Sequence, residues 1–102
     1  MSKPWFVDDV AKIGVTFTVG GVATNPSTVE LSVQNPAGTI TTYTYASGSV
    51  SQTTVSGTPV TGSYYKNIPL TAEGTWYWRW KGTGTAAAVD EGEIVVKPSV
   101  FV

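Results

Sequence analysis

The chain has 102 residues, enough to bury one hydrophobic core and too few for two. Charged residues are only 13% of the total and the formal net charge is -1, so nothing in the balance marks a nucleic-acid-binding surface, and the lysines are scattered. There is no cysteine and no histidine, which removes disulfides and leaves little basis for nucleophilic catalysis.

Abundant threonine, serine and glycine, with 41% hydrophobic residues, favour sheet over helix and depart from a disordered composition. The opening Met-Ser-Lys-Pro-Trp-Phe holds no apolar run of signal-peptide length. No stretch approaches the roughly 20 residues of a membrane span. The absence of cysteine points to synthesis in a reducing cytoplasm or to a self-sufficient core, and no membrane association is expected.

Trp5 to Asp9 is aromatic and then acidic. From Ala11 the apolar residues Ile13, Val15, Phe17 and Val19 alternate with Lys12, Gly14, Thr16 and Thr18, which predicts a strand with one apolar face. Gly20-Gly21 permits a tight reversal into a short return at Val22-Ala23-Thr24, and Asn25-Pro26-Ser27 then interrupts the chain. Val29, Leu31 and Val33 form the apolar face of the next strand. It ends at Asn35-Pro36-Ala37-Gly38, whose residue order suits a type I turn.

Thr39 to Tyr45 is threonine, isoleucine and tyrosine throughout and carries no charge, which predicts a strand near a sheet edge with Tyr43 and Tyr45 on one side. Ala46 to Gly62 has the weakest pattern, and a short strand around Val50 to Val55 is expected there. Tyr64, Lys66, Ile68 and Leu70 are in phase, and Pro69, which cannot donate to a ladder, should end that strand.

Gly74 to Gly82 places Trp76, Trp78 and Trp80 on one strand face and Tyr77, Arg79 and Lys81 on the other. The charged face must look outward, so the tryptophans belong to the core, with Trp78 expected at its centre. Gly92 to Lys97 is the last strand, with Ile94 and Val96 in phase, and Pro98 stops it. The predicted core is therefore Ile13, Val15, Phe17, Val29, Leu31, Val33, Trp76, Trp78, Trp80, Ile94 and Val96. About seven short alternating strands with essentially no helix predict an all-β, immunoglobulin-like antiparallel sandwich, a small closed barrel being the alternative. The expected organisation is one domain over residues 1–102, with short apolar arms at 1–9 and 98–102.

The carboxylates that a histidine-free enzyme would use are Asp8 with Asp9, and Asp90, Glu91 and Glu93. Adjacent carboxylates on loops ordinarily just hydrate a surface, and no cleft-forming insertion is present, so no catalytic residue is assigned. Calcium would need the two acidic groups to meet at one end of the sandwich, and there is no Asp-x-Asp-x-Asp loop. Neither a metal nor a cofactor is therefore expected. Tyr43, Tyr45, Tyr64, Tyr65 and Tyr77 offer faces on which sugar rings stack, although cross-strand tyrosines stabilise sheets without any ligand. The residues expected to meet a partner are Trp5, Phe6 and Val7 at one end, Val100 and Phe101 at the other, and Tyr43 and Tyr45 at the uncharged edge.

The order of these motifs carries a resemblance. Val7-Asp8-Asp9-Val10, then Asn25-Pro26-Ser27-Thr28-Val29, Asn35-Pro36-Ala37-Gly38 and a threonine-rich strand resemble the first half of small immunoglobulin-like structural proteins of tailed bacteriophages. Gly62-Ser63-Tyr64-Tyr65, Ile68-Pro69-Leu70, Gly74-Thr75-Trp76-Tyr77-Trp78-Arg79-Trp80 and Glu91-Gly92-Glu93-Ile94-Val95-Val96 look like the same family's later strands. The resemblance spans residues 7 to 98 and rests on turn and core signatures. It implies a non-enzymatic virion protein, a capsid decoration or a neck or tail accessory component, made in the host cytoplasm. Its partners would be other virion proteins, met in many copies under the particle's symmetry. A sugar-binding adhesion domain on a phage or bacterial surface is the other expectation.

Overall fold

The two longest alternating patterns of the sequence become strands facing one another across a common core. The computed structural model describes residues 5–98. In chain order the strands are β1 (Trp5–Phe6), β2 (Val10–Thr16), β3 (Thr18–Val19), β4 (Val22–Ala23), β5 (Thr28–Gln34), β6 (Ile40–Thr44), β7 (Ser51–Val55), β8 (Thr58–Pro69), β9 (Gly74–Thr83) and β10 (Ala88–Lys97). The one helical element among the described residues is a 3-10 turn at Gly84–Ala86. The chain is all-β and sandwich-like: a five-stranded sheet ordered β1-β10-β9-β5-β6 and a three-stranded sheet ordered β2-β8-β7, with β3-β4 as a separate hairpin.

Alternation decides which side of each strand is covered. On β5 Val29, Leu31 and Val33 are buried, and on β9 so are Trp76, Trp80 and Gly82. From the smaller sheet Ala11, Ile13, Tyr64 and Ile68 complete the core, with Phe17, Val50, Leu70, Ala86 and Val96 around them. Each is removed from water because a sheet with one apolar face is stable only against another such face. Val15, Trp78 and Ile94 are half-buried and pack against this cluster. The expected centre therefore shifts: Trp80 is fully buried at 0% exposure, and Trp78 lies at the margin.

The connections follow backbone chemistry. Ser56 and Gly57 both have positive φ, 51° and 81°, in the two-residue loop joining β7 to β8, as a type I′ hairpin requires. Pairing of β7 with β8 carries a register shift between Gln52 and Thr54, so the period of two is broken where the sequence pattern is weakest. As a result β8 begins at Thr58, well before the alternation at Ser63 becomes visible, and it ends at Pro69. Asn25 ties this region down. Its Oδ1 accepts from the Gly62 N–H at 2.7 Å and the Tyr64 hydroxyl at 3.1 Å. At Gly62 a Cβ would stand 2.6 Å from the Phe17 carbonyl oxygen, so only glycine admits that approach.

Candidate functional site

Because the inward rows of the five-stranded sheet are apolar, the outward rows carry whatever the protein presents. Register aligns Glu93, Tyr77, Gln34 and Ile40 in one outward row and Glu91, Arg79, Ser32 and Thr42 in the next. Val95 pairs with Thr75, and Phe6 pairs with Lys97 at the parallel β1-β10 contact. Ile40, Tyr77 and Val95 are 62%, 50% and 57% exposed, so this face offers apolar and aromatic surface between charges.

A shallow depression of about 290 Å³ lies on it, lined by Ser32, Gln34, Ile40, Tyr77, Trp78, Arg79 and Glu91. Arg79 Nε stands 3.8 Å from Glu91 Oε2, and both side chains are largely in water. Such a pair adds little to stability. Its fork of donors and its carboxylate remain available to a ligand beside the Tyr77 ring. Ser32 and Thr42 hydroxyls bond one another at 3.1 Å and extend the polar lining toward β6.

The residues expected at a partner contact separate. Trp5 and Val7 are half-buried against the domain's own core, the first on β1 and the second just after it, where its N–H donates to the Lys97 carbonyl at 3.3 Å. Of that segment Phe6 alone is an exposed apolar side chain. Val100 and Phe101 lie outside the described residues. Tyr43 and Tyr45 do share a side, but it is the side toward β8: Lys66 Nζ sits 4.8 Å from the Tyr43 ring centroid, and the Tyr45 ring meets Tyr64 edge-on at 5.1 Å. Tyr64 is buried, and its phenol is held above its ordinary value by burial first and by the neighbouring Tyr45 second. Tyr65 lies under the Lys12 ammonium at 4.6 Å. Of the five tyrosines, Tyr77 is the one on the outward face of the large sheet. Outward alternation on β9 indicated this, whereas Ser32, Gln34 and Ile40 beside it in the depression come from strands distant in sequence.

The acidic groups do not converge. Asp8 and Asp9 follow β1, whose Trp5 pairs with Val96, while Asp90 sits six residues earlier on β10, about 20 Å along a strand. Asp9 Oδ2 instead accepts the Phe6 N–H at 2.9 Å and closes the turn after β1. Among the described residues no group of three acidic, histidine or cysteine side chains is placed to hold a metal ion. Comparison with family models, curated proteins and solved structures found no match to this chain.

Proposed function

We propose that this chain is a non-enzymatic, immunoglobulin-like virion protein, a capsid decoration or head–tail accessory component that docks on other virion proteins. The strand order supports the fold half of this reading. Assigning β2, β8 and β7 as B, E and D, and β5, β6, β9 and β10 as C, C′, F and G gives a strand order that supports an immunoglobulin-like reading. At the β8-β9 corner the Trp76 indole N–H donates to the Ala72 carbonyl at 3.0 Å, the bond that a tyrosine makes at the E–F corner of such domains.

The observation that carries the docking half is the outward face of the large sheet, where Phe6, Val95, Tyr77 and Ile40 stand exposed among alternating charges. Aromatic and aliphatic anchors inside a polar rim are the anatomy of a protein-binding surface. In purified particles from cells that express the chain, mass spectrometry should find many copies, and Tyr77→Asp with Val95→Asp should abolish incorporation while the isolated domain melts unchanged. Recovery of the wild-type chain only in the particle-free fraction would refute the reading.

A saccharide is the second reading, favoured by the half-exposed Tyr77 ring beside Arg79, Glu91 and Gln34. Retarded migration through a gel containing polysaccharide, lost in Tyr77→Ala, would support it over protein docking.

A further inference from the structure

The two large sheets have edges that differ in how they are protected. Of the five-stranded sheet, β10 is capped by β1 at Val96 and Lys97 and carries Asp90, Glu91 and Glu93 over the rest of its length. Of the three-stranded sheet, β2 carries Lys12, and the pairing of β7 is interrupted by a register shift. Charge, bulges and covering strands are the usual means of preventing edge-to-edge association. The remaining edge, β6, has none of them. Its sequence Ile-Thr-Thr-Tyr-Thr is uncharged and proline-free, and its register with β5 is unbroken.

The ladder shows which groups of β6 remain open. Tyr45 N–H donates to the Val29 carbonyl and Asn35 N–H to the Thr39 carbonyl, both at 3.0 Å. The odd-numbered residues therefore bond to β5, and alternation in an antiparallel pair turns the N–H and C=O of Ile40 and Thr42 away from the sheet. Two residues further, the Thr44 carbonyl is taken by the N–H groups of Ser49 and Val50, at 3.1 and 3.2 Å, which closes that end of the edge. What stays open is a short segment of two outward-facing residues flanking Thr41.

We propose that β6 is a self-pairing edge, and that a second copy of this chain adds its own β6 antiparallel across a two-fold axis through Thr41. Ile40 then stands opposite Thr42 of the second copy and Thr42 opposite its Ile40, each pair exchanging both backbone bonds. A two-fold contact is self-complementary by construction, so it needs no charge to set its register, whereas selection of a foreign strand would rest on side chains that here are threonines and one isoleucine. The pairing also gives Ile40 a function. At 62% exposure it stands at the open edge, and in the pair the two Ile40 side chains become diagonal neighbours on one face, with threonines opposite them. The contact uses the sheet edge and does not depend on the virion reading.

Sedimentation from about 1 μM to about 1 mM covers the range in which a weak dimer forms. The wild-type chain should shift from monomer to dimer across that range, and Thr42→Lys should remain monomeric with an unchanged melting profile. A second variant uses the absence of cysteine from the chain. Thr41→Cys places two thiols opposite each other at a non-hydrogen-bonded position, where Cα atoms stand about 4.5 Å apart, within disulfide range. It should oxidise to a covalent dimer faster than Val22→Cys, an exposed control on β4. A wild-type chain that stays monomeric at the highest concentration, a Thr42→Lys chain that dimerises as the wild type does, or equal oxidation of the two cysteine variants would each overturn the proposal.

Discussion

Trp80 and Trp78 project from the same side of one strand, two residues apart, and have different surroundings. Trp80 aligns with Leu31 of β5, and both are fully buried. Trp78 aligns with Val33 on one side and with Gly92 of β10 on the other. A Cβ on Gly92 would overlap the Trp78 ring, so the glycine leaves room for the indole to lie across β10. Alternation fixes which way a side chain points, but coverage depends on how far the opposite sheet extends. Three strands cannot cover five, and over part of β10 the Trp78 ring itself acts as the cover.

The difference can be broken at either residue. Trp80→Ala should have the largest effect, about 3–5 kcal/mol, because it opens a cavity in the best-covered part of the core. Chemical denaturation checks it, and a cost equal to that of Trp78→Ala would erase the distinction. Gly92→Val should cost about 1–3 kcal/mol by displacing the indole. In a double-mutant cycle with Trp78→Ala that cost should largely disappear, since the clash requires both partners. Trp78→Ala alone should cost about 1–2 kcal/mol, with less change in the emission of the remaining tryptophans than Trp80→Ala produces.

The smallest effect lies at Tyr64, on the opposite sheet. Its phenol titrates above the ordinary value of 10.0 because burial disfavours the charged form. The folded state therefore holds the proton more tightly than the unfolded chain does. That contribution is complete below pH 10.0 and is lost as pH rises through the folded-state value. Tyr64→Phe should lose about 1 kcal/mol at neutral pH, with the hydroxyl that donates to Asn25, and then fall less steeply above the ordinary tyrosine range. Melting curves at neutral and alkaline pH give the comparison.

What was legible in the sequence follows the range of the interaction. The all-β class, the reversal at Gly20-Gly21, the end of β8 at Pro69 and the inward tryptophans are written in local alternation and turn chemistry. The parallel pairing of Trp5 with Val96 joins residues from opposite ends of the chain, and no local pattern records it. The same holds for Asn25. An Asn-Pro dipeptide reads as a loop, and nothing in it announces that the side chain will gather Gly62 and Tyr64 from β8. For the candidate surface, outward alternation identified Tyr77, while Ser32, Gln34 and Ile40 reach it only through register.

The parallel contact between β1 and β10 has a mechanical consequence. Tension applied before Trp5 and after Lys97 pulls two parallel neighbouring strands in opposite senses along their length. The bonds of that contact, including the one from Val7 N–H to the Lys97 carbonyl, are then loaded together in shear and not opened one after another. A short patch of pairing thus serves as a clasp that resists stretching of the domain between its two ends.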